Sequence, residues 1–377
     1  MNYSTSYSTV YIGIDAHKES FSLVSYTNEK EQAEYPQRVD AHYSKVINYI
    51  EAMRFHYGED ALFVCGYEAG CLGYTLYHEL EAHNVKCVIL APSTMPVPKG
   101  KKRIKTDKRD AALIARCLAH NDYSAVHVPT EKDEQTKEYI RMRDDHKLQL
   151  KKVKQQILSF CLRHGCIYDG TKNHWTQTHI NWLRKLNLDS MLQEIMDEYL
   201  LTYDYLTGRL GLIEKRIEEL ANDKDYAENV HKAECFIGIK SQTALAVIAE
   251  TGDFNRFPDA QHYASFLGLV PGEDSSGDDK NRLGITKAGN RHIRTLLIEA
   301  AQSYGRGKVG YKSAALKARQ AGNSSAVIAY ADKANERMRR KYYHMVLKQG
   351  KKTNVAKTAI ARELACFLWG MMTGHIV

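Results

Sequence analysis

The chain has 377 residues, too many for one ordinary hydrophobic core, so two or three folded units are expected. Its 53 Lys and Arg outnumber 45 Asp and Glu for a net charge of +8, and the excess is clustered, which favours a polyanionic partner, nucleic acid first. The 8 cysteines form no C-x-x-C pair and no regular His/Cys spacing, so neither zinc nor disulfides are indicated.

Residues 1 to 8 lack the basic region and apolar core of a signal peptide, and no apolar run is long enough to cross a bilayer. A cytoplasmic setting is the expectation. From Val10 to Ile14 the chain reads as a strand, followed across short turns by Phe21 to Tyr26 and Ala33 to Val39. A helical stretch (Val46, Ile47, Ile50, Met53) leads to the strand Ala61 to Tyr67. A second (Leu72, Leu76, Leu80) leads to the apolar strand Val85 to Leu90. Three hairpin-linked strands followed by helix, strand, helix, strand is the order of a ribonuclease-H-like α/β fold.

Pro92, Pro96, Pro98 and Gly100 mark residues 91 to 106 as a loop, which ends in a burst of lysine before a helix from Asp107 to about His120. From Glu131 to about His164 the chain is charged and helix-permissive, and Gly165 to Asn187, with Trp175 and Trp182, reads as irregular. Tyr199, Tyr203, Leu206, Leu210, Ile213, Ile217 and Leu220 then recur at steps of four and three, the seam of a heptad coiled coil. Heptads mark pairing without naming the partner, so an intramolecular hairpin and a dimer stalk both fit, with a slight lean to dimerisation. Beyond Cys235 a compact helical region with Gly-containing turns is expected. From Tyr311 it becomes basic, with Arg337, Arg339, Arg340, Lys341, Lys348, Lys351 and Lys352 suited to nucleic-acid backbone contact.

Four acids stand out. Asp15 and Glu68 each end a strand-like run, which puts them at the mouth of one sheet. Asp107 and Asp110 are three apart, hence on one helix face. Clustered carboxylates repel one another unless a cation joins them. Mg²⁺ takes carboxylate oxygens, and two such ions about 3.5 to 4 Å apart can activate a nucleophile and stabilise a leaving oxygen at a phosphodiester. The flank Lys99, Lys101, Lys102, Arg103, Lys105, Lys108 and Arg109, with Lys18, would hold phosphates near them. Any one of these acids alone is more often a surface group, and Asp107 also suits a helix cap. His17 is expected to pack or to contact phosphate rather than to bind metal. A second motif runs from Pro271 through Ser275-Ser276-Gly277 to Lys287-Ala288-Gly289-Asn290-Arg291. A serine on such a loop can attack phosphorus, with Lys287, Arg291 and Arg294 neutralising the phosphate, although Ser-Ser-Gly by itself is most often a plain turn.

Together, Gly13-Ile14-Asp15-Ala16-His17-Lys18, Glu68-Ala69-Gly70, Lys105 to Ala111, and Pro271 through Ser276-Gly277 to Asn290 resemble the DEDD transposases of insertion-sequence family one-hundred-and-ten. These are bridge-RNA-guided recombinases related to a pilin-gene DNA invertase. The resemblance implies three parts: a RuvC-like domain over residues 1–125, a coiled-coil middle over 126–232 and a helical C-terminal transposase domain over 233–377. It also implies Asp15, Glu68, Asp107 and Asp110 as Mg²⁺ ligands. Ser276, with Ser275 as substitute, would be the nucleophile of a phosphoserine link to DNA. The partners it implies are donor and target DNA, a structured guide RNA and further copies of the chain, as a dimer or tetramer in a prokaryotic, nucleoid-associated setting. Strand exchange through such an adduct needs no ATP, in keeping with the absence of a P-loop. The competing readings are a Holliday-junction-resolving endonuclease that cuts with metal-activated water, and a non-catalytic nucleic-acid-binding protein whose acids are structural.

Overall fold

Alternation of Val10, Ile12 and Ile14, none with any exposed surface, sets the central strand of the first of two compact units, residues 1–128 and 129–377. The computed structural model describes residues 9–96, 106–170, 173–276 and 279–376. In the first unit, β1 (Thr9–Ala16), β2 (Ser20–Tyr26) and β3 (Ala33–Asp40) form an antiparallel meander. It is followed by α1 (Tyr43–Tyr57), β4 (Leu62–Glu68), α2 (Thr75–Ala82), β5 (Lys86–Leu90) and α3 (Asp107–His120). The sheet order is β3-β2-β1-β4-β5, with β4 parallel to both β1 and β5. This mixed sheet carries the strand order expected of a ribonuclease-H-like fold. Pro36 sits in the exposed edge strand β3, where a missing N–H donor is tolerated.

Helices cover both faces because both faces are apolar. Val46, Ile50 and Met53 of α1 and Leu76 and Leu80 of α2 bury with Val10, Ile12 and Ile14 on one side. On the other, Ile114, Cys117 and Leu118 of α3 pack with Leu90 and, at the margin, Tyr11. The approach of α3 to β1 is very close. A Cβ on Gly13 would lie 2.0 Å from the Ala111 carbonyl oxygen and 2.6 Å from the Ala115 nitrogen, so only glycine fits there.

The second unit begins with two long helices, α4 (Glu131–Arg163) and α6 (Ser190–Ala221), joined through the short α5 (Gln177–Leu183). The stretch read as irregular therefore contains a helix, capped by the Thr176 hydroxyl accepting from the His179 N–H. The heptad seam closes within the chain: Tyr203, Leu206, Leu210, Ile213 and Ile217 are all under 9 % exposed. Toward one end they join Val153, Ile157 and Phe160 of α4, and toward the other Ile213 and Ile217 share a core with Ile140 and the C-terminal helices. The pairing is thus an intramolecular helical hairpin, and these positions are not available as a dimer seam.

The remainder comprises α7 (Ala227–Glu234), α8 (Ser241–Thr251), α9 (Ala260–Phe266), the hairpin β6 (Pro271–Ser276) and β7 (Asp279–Ile285), α10 (Arg291–Ala301), α11 (Ala314–Gln320), α12 (Ser325–Tyr343) and α13 (Thr353–Met372). Ala356, Ile360, Ala361, Leu364 and Leu368 of α13 are wholly buried at its centre. Full burial of each leucine is worth about 1.5–3 kcal/mol. The two-stranded hairpin departs from the all-helical expectation for this part of the chain.

Candidate active site

The positions of the acids follow from the packing just described. Asp15 lies in the last turn-ward residues of β1, two residues beyond Gly13, and Asp110 directly precedes Ala111, the residue against which Gly13 presses. Close approach of β1 and α3 therefore brings the first turn of α3, with Asp107 and Asp110, to the mouth of the strand that ends with Asp15. Thr106, not Asp107, is the N-cap residue, which leaves the Asp107 carboxylate free of that duty. Both acids also favour the positive end of the helix dipole. Glu68 ends β4, and because Ile14 pairs in parallel register with Tyr67, Asp15 and Glu68 are the next residues on neighbouring strands.

Oxygens of Asp15 and Asp107 and a ring nitrogen of His17 lie within 4.8 Å of one another. The His17 Nε2 stands 3.2 Å from Asp15 Oδ2 and 3.8 Å from Asp107 Oδ1, its loop held by the His17 N–H donating to the Ser20 carbonyl at 3.1 Å. Sequence reasoning set His17 aside as a ligand, yet its ring is the third member of this group. Its spacing two residues from Asp15, across the turn that starts the β1–β2 hairpin, was the signal that could have found it. Glu68 is exposed and stands outside the group.

Burial pushes the Asp15 carboxyl above its ordinary value; the neighbouring His17 ring opposes this, and the negative charges of Asp110 and Asp107 add to it. Such mutual repulsion among oxygen donors, with an imidazole beside them, is the donor chemistry that suits a hard divalent cation. Lys18, Lys108 and Arg109 are exposed around this mouth. Lys99, Lys101, Lys102, Arg103 and Lys105 lie outside the described residues.

In the second unit Ser275 and Ser276 fall in β6, with Ser276 in register with Asp279 of β7; their side chains lie outside what is described. The base of the hairpin is anchored by two interlocked turns. A Cβ on Gly268, at φ +63°, would meet the Ala288 oxygen at 2.1 Å, and one on Gly289, at φ +86°, would meet the Phe266 oxygen at 2.0 Å. Arg294 belongs to this anchor. It is 8 % exposed and its Nη1 donates to the Leu267 carbonyl at 2.8 Å, so its charge is turned inward rather than toward a phosphate. Lys287 and Arg291 are exposed. Arg339 of the basic C-terminal stretch is likewise buried, donating to the Lys308 carbonyl at 2.7 Å and the Tyr311 carbonyl at 3.0 Å.

Beside the anchor, the Glu250 carboxylate accepts from Arg141 Nε at 2.9 Å and Nη2 at 3.0 Å, and from Asn290 Nδ2 at 2.8 Å. The His292 ring lies between Glu250 and Asp144. This network joins α4, α8 and the start of α10, and nothing in the spacing of its members along the sequence announced it.

Two family models match the chain. One for DEDD-type transposases covers residues 12–164, and one described as the IS116/IS110/IS902 transposase family covers residues 233–313. A putative transposase of Sinorhizobium fredii is 33 % identical over 97 % of this chain and 89 % of its own length. The transposase for insertion sequence element IS1533 of Leptospira borgpetersenii is 29 % identical over 91 % of this chain and 98 % of its own length. A pilin gene-inverting protein of Moraxella lacunata is 25 % identical over 79 % of this chain and 84 % of its own length.

Proposed function

The chain belongs to the IS110 family of DEDD transposases, and from that premise we propose that it exchanges DNA strands through a serine-linked intermediate at a Mg²⁺ site held by Asp15, Glu68, Asp107 and Asp110. Membership makes it an enzyme acting on DNA and implies a divalent metal. The observation that carries the reading further is the convergence of Asp15 and Asp107, from elements about ninety residues apart, within 4.8 Å at one strand mouth. A bound divalent cation there supplies Lewis acidity toward a phosphate oxygen.

In this reading the Ser276 hydroxyl forms a new P–O bond to the scissile phosphorus as the P–O bond to the departing nucleoside hydroxyl breaks. The serine proton ends on the departing oxygen, and the displaced strand end later reverses the step on a partner strand. His17, beside Asp15 and Asp107, orients those carboxylates. Lys18, Lys108, Arg109, Lys287 and Arg291 steer DNA phosphates, together with Lys101, Lys102, Arg103 and Lys105. The partners are donor and target duplexes and a structured guide RNA that pairs with both. Self-association would use a second stripe of α6, Leu201, Tyr205 and Leu212. These are 62 %, 63 % and 61 % exposed, and their steps of four and seven suit a helix-to-helix seam.

The deciding experiment incubates the purified protein and its copurifying RNA with end-labelled DNA and Mg²⁺, and resolves the products on a denaturing protein gel. Retained label in wild type that vanishes in Ser276→Ala and in Asp15→Asn is the expected result. Undiminished label in Ser276→Ala removes Ser276 from the chemistry. Cutting without any adduct in wild type, lost only in Asp15→Asn, supports a hydrolytic junction resolvase instead.

A further inference from the structure

A groove of about 1010 Å³ runs along the base of the β6–β7 hairpin, between Leu283, Gly284 and Ile285 on one side and α12 and α13 on the other. Its walls are unbalanced in charge. Among the described residues, Lys287, Arg337, Lys341 and Arg362 line it with one acid, Glu363. The Glu363 Oε1 accepts from Lys341 at 2.8 Å and lies 3.5 Å from Arg337, so a single carboxylate oxygen steadies both cations. Lys287 and Arg362 make no ion pair among the described residues. Glu363 Oε2 is shut off from solvent and has no hydrogen-bond partner there, so this acid is held in place chiefly by the cations around it.

The same walls also expose apolar surface. Leu283 and Val355 are each 51 % exposed. The Arg337 guanidinium lies 5.9 Å from the centre of the Phe367 ring. Cations and apolar side chains sharing one groove match a ligand that carries both anionic and flat apolar groups. A duplex offers phosphates but hides the faces of its bases in the stack, whereas an unpaired strand offers both.

We propose that this groove binds an unpaired DNA strand, with phosphates against Lys287 and Arg362 and bases laid on Leu283 and Val355. The choice of DNA rests on the functional reading above, because the groove borders the hairpin that carries Ser276. A strand opened near the serine would be held there, away from its complement, while its phosphate is attacked. Arg337 and Lys341, tethered by Glu363, are the positioning pair that closes the far wall.

Binding is measured with the full-length protein in EDTA, so that cutting plays no part, by fluorescence anisotropy of a short labelled DNA strand, its duplex and the RNA strand of the same sequence. Arg362→Ala is expected to weaken strand binding and to lower the slope of log K against log salt by about 0.7, the contribution of one phosphate contact on a single strand. Val355→Asn, a neutral change in the exposed first turn of α13, is expected to weaken the strand about threefold and leave the duplex unchanged, because it replaces an apolar contact to a base with a polar side chain. Glu363→Gln removes a negative charge from the groove and is expected to tighten strand binding, an effect that misfolding cannot imitate. Unchanged strand affinity in Arg362→Ala and Val355→Asn overturns the proposal, as does equal loss for strand and duplex. Preference for the RNA strand with the same sensitivities replaces it with an RNA groove. Failure of the serine adduct with these results intact would remove the strand-exchange chemistry but keep the groove.

Discussion

His292 at the start of α10 places its Nε2 2.8 Å from Asp144 Oδ2 on α4, while its Nδ1 faces Glu250 Oε1 at 3.0 Å. Hydrogen bonds to Asp144 and Glu250 outweigh burial and hold the ring's pKa at about 9. Burial alone would raise Glu250, but donation from His292 and Asn290 and the charge of Arg141 bring it to about 2. Asp144 is held below its ordinary value in the same way: burial is overcome by His292 and Arg143.

The linkage has a definite sign. A histidine raised from 6.5 in the unfolded chain to about 9 in the folded one adds stability that is fully present below pH 6.5 and lost as pH climbs through about 9. Glu250 contributes above pH 4.5, and its share is lost as pH falls through about 2. Thermal melts between pH 6 and pH 10 should therefore show wild type losing stability toward the alkaline end. His292→Ala should be less stable than wild type by about 2 kcal/mol at pH 6, since it removes a charged hydrogen-bond partner from Glu250 and Asp144 while Arg141, Asn290 and Arg143 remain, and should converge on it near pH 10. Parallel curves would detach His292 from the effect.

Gly13→Ala should damage folding and chemistry together. The added methyl group would sit 2.0 Å from the Ala111 oxygen, so α3 must move off β1 and carry Asp107 and Asp110 with it. A loss of about 3 kcal/mol in chemical denaturation, within the range of severe core overpacking, is expected along with loss of metal-dependent DNA cutting.

Asp15→Asn should separate the two properties in the opposite way. Removing one negative charge from beside Asp107 and Asp110 relieves repulsion, so in EDTA the variant should melt at or slightly above the wild-type temperature. Addition of Mg²⁺ should raise the melting temperature of wild type more than that of the variant. Equal metal-induced shifts would argue against Asp15 as a ligand.

Arg294→Ala should act on stability rather than on charge. Its guanidinium serves the Leu267 carbonyl inside the hairpin anchor, so the loss should be about 1.5–3 kcal/mol, the worth of a charged hydrogen bond. The salt dependence of DNA binding should stay as in wild type, whereas Arg291→Ala should lower it.

The first unit was legible because strand alternation at Val10, Ile12 and Ile14 and helical spacing at Val46, Ile50 and Met53 are local signals with one solution each. Asp15, Asp107 and Asp110 could be grouped from their places at element ends, whereas the spacing of His17 two residues beyond Asp15 gains meaning only once the turn brings its ring back over Asp15. The heptads of α6 specified a seam and left its occupant open; packing against α4 decided it. The β6–β7 hairpin was hidden by composition. Gly, Asp and Ser are poor strand formers, and Pro271 to Ile285 pairs through its backbone. The Arg141, Asp144, Glu250, Asn290 and His292 network joins positions separated by up to about 150 residues, which no periodicity encodes.

The turns at Gly268 and Gly289 each fill the space that a side chain of the other would need, so neither can be rebuilt alone. The described residues of β6 and β7 are bracketed in the chain by that clasp. Relatives should therefore exchange this segment as a cassette, with chimaeras spliced at those two residues retaining their folded frame while inheriting the donor's chemistry.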